Sequence, residues 1–206
     1  HILICGYGAT GQAAAAELIK RGESVDGIVI VDSDPNAIDA AAQAGFVTIV
    51  GDASQSAVLR EAGVVRARSV VVAPNRDDTA VLITLTVREL NDTAHIVAGG
   101  REQENLHLLR QGGANEVIDA TAAVGRMIGL ATTSPGAVRV VDDLLDSGTG
   151  LDLLEVAPVT NAQGLGAPGD ATIVAVIRDG KRVPARALAT MELRANDRLI
   201  VLTEPT

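Results

Sequence analysis

Short runs of β-branched and other apolar residues alternate with longer Ala- and Leu-rich segments through the first 120 positions. The runs at 2–5, 27–31, 47–50, 69–73, 95–98 and 116–118 are almost unbroken in apolar character. Such runs suit strands covered on both faces, as in a parallel sheet. The segments between them, 11–20, 35–44, 54–62, 78–90 and 102–111, have helical length, and Pro35 suits a first helical turn. Periodicity alone leaves 79–87 open, because Val-Leu-Ile-Thr-Leu-Thr-Val reads equally as a strand. Length and a cap at Asp77 and Asp78 predict a buried helix there. The alternation predicts an α/β fold with a Rossmann-like, doubly wound parallel sheet.

Beyond Ile118 the rhythm changes. An Ala-rich helix over 121–132, a Ser134-Pro135-Gly136 break and a helix over 137–146 predict a helix-turn-helix connector. Strands over 153–156, 172–177 and 198–202, with turns at Asp179-Gly180 and Asn196-Asp197, predict a smaller C-terminal α/β, β-rich domain. A flexible loop is expected over 164–169. The expected organisation is a nucleotide-binding domain over 1–120, a crossover connector and dimer interface over 121–150, and a second domain over 151–206.

The chemistry concentrates in one loop. Gly6-Tyr7-Gly8-Ala9-Thr10-Gly11 follows an apolar strand and opens an Ala-rich helix. In that context Gly6 permits a tight turn, Gly8 admits a pyrophosphate to the backbone, and Gly11 lets helix and strand pack closely. The helix start adds N–H groups and positive potential. The next strand ends at Asp32, whose carboxylate can accept hydrogen bonds from ribose hydroxyls, while Asp32 and Asp34 together would repel a 2′-phosphate.

Composition narrows the function. With one Tyr, one Phe and no Trp, recognition of RNA by stacked aromatic rings is excluded. The 17 basic and 26 acidic residues give a net charge of −9, so nucleic acid is not an expected partner. Residues 151–206 carry seven acidic and six basic side chains, which leaves −8 on residues 1–150. The single cysteine, Cys5, allows no internal disulfide and fits a reducing compartment. The apolar stretch 79–87 is far short of the roughly 20 residues of a membrane helix. A strand pattern that begins at Ile2 without a starting Met is expected for a fragment of a longer protein. Enzymatic chemistry lacks its groups: Tyr7 lies inside the glycine loop, while His1, His95, His107 and Cys5 read as structural residues. No His or Cys spacing suggests a metal site, and Asp142, Asp143 and Asp146 read as a solvated helix face.

Together these residues resemble the domains that regulate conductance of potassium channels and the Trk/Ktr transport subunits, with a TrkA-N-like nucleotide-binding half and a TrkA-C-like tail. The resemblance rests on Ile4 through Gly11, Val31-Asp32, Gly51-Asp52-Ala53-Ser54, Leu59 through Gly63, Ala73 through Leu90 and Glu104-Asn105. It continues more loosely in Ala175 through Gly180 and Asn196 through Val201. It implies a cytoplasmic, ligand-sensing gating module on the inner side of the membrane rather than an enzyme. NAD(H), ATP, ADP or AMP would be the regulatory ligand, held by the glycine loop, Asp32 and Ser33, with Asp52 and Ala53 by the adenine. Asn75 and Arg101 would face the phosphates, with Gly99-Gly100 standing where the family more usually has Ala-Arg. The 121–132 helix resembles one that crosses between two subunits, burying Met127, Ile128 and Leu130, so a homodimer and an octameric gating ring are implied. The implied partner is a potassium channel pore or a transporter's membrane subunit. A soluble transporter subunit and a truncated NAD-dependent oxidoreductase are the alternatives.

Overall fold

In the computed structural model, all residues are described except 149, 162–163, 185–186, 188–190 and 205–206. They divide into two compact units, His1–Gly129 and Leu130–Thr206.

The first unit holds six parallel strands, β1 (Ile2–Cys5), β2 (Ile28–Asp32), β3 (Val47–Val50), β4 (Ser69–Val72), β5 (His95–Gly100) and β6 (Glu116–Asp119). Their order in the sheet is β3-β2-β1-β4-β5-β6. The helices between them are α1 (Ala9–Lys20), α2 (Pro35–Gln43), α3 (Ser56–Glu61), α4 (Asp77–Leu90) and α5 (Leu106–Gln111). Each predicted strand and helix is present, with ends shifted by a few residues.

Alternation along a strand separates two apolar layers. On β1, Leu3 and Cys5 join the core that also holds Leu59 of α3, Ile83 and Val87 of α4 and Leu109 of α5. Ile2 and Ile4 join the opposite core, with Ala15 of α1 and Ile38 and Ala41 of α2. The ambiguous 79–87 segment is helical because Ala80, Ile83, Thr84 and Val87 recur at helical spacing against the sheet. Its predicted cap is corrected: Arg76 occupies the N-cap, and Asp77 and Asp78 lie in the first turn.

Helix α6 (Ala120–Thr133) contains no buried residue, and Val124 and Ile128 are exposed. Helix α7 (Pro135–Leu145) has Ser134 at its N-cap and Pro135 in the first turn. In the second unit, β7 (Asp152–Val156), β10 (Thr172–Arg178), β11 (Lys181–Arg182) and β12 (Arg198–Thr203) form an antiparallel sheet in the order β11-β10-β12-β7. The Asp179-Gly180 turn joins β10 to β11 with positive φ at both residues, as a two-residue hairpin with a type I′ turn requires. The loop expected over 164–169 is corrected in part. Its first three residues form β9 (Gly164–Gly166), which pairs with β8 (Val159–Asn161), because the ladder satisfies their backbone groups.

Candidate functional site

The winding of the sheet reverses between the neighbours β1 and β4. Loops leaving the carboxyl ends of strands diverge at such a point and leave a crevice. A cavity of about 210 Å³ is found there, lined by Gly6, Asp32, Ser33, Asp52, Ala53 and Asn75, together with Arg76, Thr79 and Ile83.

The first loop is held tightly. Gly6 has φ +99°, and a Cβ on it would lie 2.6 Å from the Ala73 carbonyl oxygen. Only glycine meets both demands. A Cβ on Gly11 would overlap the Gly6 carbonyl oxygen, so turn and helix can close on each other only without a side chain. Gly8 is the N-cap of α1 and makes no side-chain capping bond to its first N–H groups. The first N–H groups of that helix, at Ala9 and Thr10, therefore keep their capacity to donate to an anion. A Cβ on Gly8 would lie 3.3 Å from Asn75 Oδ1.

Asp32 joins the strand ends. Its Oδ2 accepts the Tyr7 N–H at 2.6 Å, and its Oδ1 accepts the Asp34 N–H at 2.8 Å. The carbonyl of Asp32 accepts the Gly51 N–H at 2.9 Å. The carboxylate thus fixes the glycine loop while each oxygen retains acceptor capacity for a ligand hydroxyl. The Asp34 side chain accepts from Asn36 N–H at 2.9 Å and caps α2. Asp52 accepts the Ser54 N–H at 2.9 Å. That N–H, with help from the Ser54 side chain, holds the Asp52 carboxyl below its usual range and so favours its charged form.

Tyr7 contributes only backbone to this site. Its ring is 5% exposed and packs edge-to-face on Phe46 at 6.0 Å, and burial raises its pKa. Cys5 lies wholly inside the core, with its thiol pushed up to about 12 by burial, which leaves it inert as a nucleophile.

Arg101 lies in a second cavity of about 470 Å³, with Asp77, Asp78, Glu102 and Asn105, and Asn75 and Arg76 line both cavities. The Arg101 guanidinium donates to the Asn75 carbonyl at 3.3 Å. Its backbone N–H and that of Glu102 donate to Asp77, which ties the loop after β5 to the start of α4.

Sequence reading missed Arg76, Thr79 and Ile83. The signal was present: Pro74-Asn75-Arg76 leaves the carboxyl end of a strand beside the switch point, and Arg76, Thr79 and Ile83 follow at i, i+3 and i+7 on one helix face. Arg76 is held by Asp78, its Nε donating to Oδ1 at 3.0 Å. The Arg76 guanidinium and the Thr79 N–H bring the Asp78 carboxyl down to about 2. No group of three or more metal-ligating side chains gathers among the described residues.

A doubly wound sheet with a glycine turn beside an acidic strand end at its switch point defines a dinucleotide-binding type of domain. The model of the TrkA-N domain family matches residues 2–120, and the chain belongs to that family. Potassium channel protein 1 of Methanocaldococcus jannaschii is 29% identical over 147 residues, which cover 70% of this chain and 43% of that protein. The chain therefore spans less than half the length of this curated relative. The crystal structure of GsuK bound to ADP is 31% identical, with a TM-score of 0.57 over 65% of this chain and 35% of that one. The GsuK channel bound to NAD matches 98% of this chain and 36% of that one at a TM-score of 0.55 and 24% identity, a likeness of fold that includes the second unit. Among the described residues no helix is long and apolar enough to cross a membrane.

Proposed function

We propose that this chain is a nucleotide-sensing regulatory module that gates a potassium channel or potassium transport system from the cytoplasmic side of the membrane. The observation that carries the reading is the pairing of the Gly6–Gly11 turn with the Asp32 carboxylate across the switch-point cavity. The TrkA-N match and the likeness to ADP-bound GsuK support it.

The residues fit an adenine nucleotide or NAD(H). A tight turn that a Cβ at Gly6 or Gly11 would break against the backbone lies beside the first N–H groups of α1, at Ala9 and Thr10. These N–H groups would take the pyrophosphate, Asp32 and Ser33 the ribose, and Asp52 and Ala53 the adenine side, with Asn75 and Arg101 toward the phosphates. The bound nucleotide supplies binding energy and no bond-making step. It regulates only through a difference in affinity between two arrangements of the protein, and the attached pore responds to the shift in their populations.

The domains act as the nucleotide-binding unit 1–120, the connector 121–150 and the C-terminal unit 151–206. Exposed Val124 and Ile128 lie four apart on α6, on one helical face, and this face supports a homodimer through α6 as the unit of a larger ring. The membrane partner is a potassium pore or transporter subunit.

Calorimetry with ADP and NAD tests the binding step, and potassium flux through the membrane protein that carries or recruits this chain tests the coupling. Flux should change on nucleotide addition while the nucleotide remains intact. Steady oxidation or reduction of NAD(H) at enzymatic rates would instead favour the oxidoreductase alternative.

A further inference from the structure

One wall of the switch-point cavity is built by α4 and its N-cap, through Arg76, Thr79 and Ile83. A nucleobase is flat and is stabilised by stacking on a planar aromatic or guanidinium face. The aromatic side chains of this protein are one Tyr and one Phe. Both are committed elsewhere, since Tyr7 and Phe46 pack on each other and neither lines the cavity. Among the lining residues, Arg76 is the one planar cation. A guanidinium is planar and delocalised, and it lies well over a π-face, whereas an ammonium is a compact, strongly hydrated charge.

The orientation of this group is not left to its long stem. Asp78, two residues on, receives both Nε and Nη2 of Arg76, a two-pronged contact that favours one plane of the fork without consuming its faces. Ile83 and Ala53 supply apolar surface in the same cavity. Resting on the nucleotide reading above, we propose that Arg76, oriented by Asp78, is the platform on which the base stacks and the residue that sets a preference for purine over pyrimidine nucleotides. The other role open to an arginine here is a phosphate contact, which any cation of similar reach could make. The two roles separate by substitution: a stacking platform fails on change to lysine, and a charge contact survives it.

The test is calorimetry of this chain with ADP and with UDP, for the wild type and for Arg76→Ala, Arg76→Lys and Asp78→Asn. Thermal melts confirm that these exposed-site variants remain folded. The wild type should favour ADP. Arg76→Ala should weaken ADP about 2- to 30-fold and UDP less, narrowing the preference, and Arg76→Lys should behave as the alanine variant does. Asp78→Asn should produce a smaller change in the same direction. An ADP-to-UDP ratio that is unchanged in Arg76→Ala, with affinity restored by lysine, makes Arg76 a phosphate contact and overturns the proposal. Equal ADP affinity in wild type and Arg76→Ala overturns it too, leaving the nucleotide reading intact, whereas a wild type that binds neither ADP nor UDP removes both.

Discussion

The two units place comparable apolar residues under different constraints. In His1–Gly129 the central strand β1 is covered on both faces, so Ile2 and Leu3, adjacent in sequence, are both buried in separate cores. Functional groups of the central strands can then reach solvent only at strand ends, and the cavity lies there, closed on one side by α4. Among the described residues of Leu130–Thr206 one core gathers around Val176, Leu199 and Val201, and Val174 on β10 is exposed. This unit relies on a polar clip: Asp197, 1% exposed, accepts Nε and Nη2 of Arg178 at 2.7 Å each and the Arg194 N–H at 2.8 Å. The first unit has polar anchors of its own, Asn91 donating to the Val64 and Ala67 carbonyls, but they lie away from the cavity lining, whereas the small core of the second unit is closed by its clip.

Core truncation tests this contrast most strongly. Leu3→Ala should destabilise the first unit by about 2–5 kcal/mol in chemical denaturation, and Leu199→Ala should fall at the low end of that range because a small core relaxes into the space left. A larger loss at Leu199 than at Leu3 would break the comparison.

Asp32→Ala should weaken ADP or NAD by about 1–3 kcal/mol in calorimetry, through loss of charge-assisted hydrogen bonds, and should leave the melting of the second unit unchanged. Unaltered affinity removes Asp32 from the site.

Val124→Glu on α6 should shift light scattering toward the monomer, while changing the stability of the monomer itself by less than about 0.5 kcal/mol, as for a position exposed in the single chain. A wild type that remains monomeric at high concentration contradicts the proposed dimer.

The smallest effect at neutral pH is the acid response of the clip. Arg178 and the Arg194 N–H hold the Asp197 carboxyl down, from 3.8 to about 2. A carboxyl lowered in the folded state contributes stability that is fully present above 3.8 and is lost as pH falls toward 2. The clip should therefore contribute no pH dependence to melts near neutrality and a decline below about pH 4. Asp197→Asn should remove this component of the decline. The same acid slope in that variant would assign it to other carboxylates.

The strand and helix pattern of the first unit was legible from sequence because burial on both faces leaves long apolar runs, and the glycine spacing exposed the turn because no other residue fits φ +99° at Gly6. The Asp179-Gly180 hairpin was legible for a similar local reason. Pairing between distant segments was not. Asp197 reads as a turn residue, and only its approach to Arg178 on β10 turns it into a buried anchor. β8 and β9 are too short to announce themselves without each other. Arg76 looks like an ordinary surface charge until the sheet order sets β4 beside β1 and brings α4 against the glycine turn and Asp32. Local conformation follows from steric and hydropathic rules that act within a few residues, whereas a site is a meeting of side chains whose partners are chosen by the path of the chain through space.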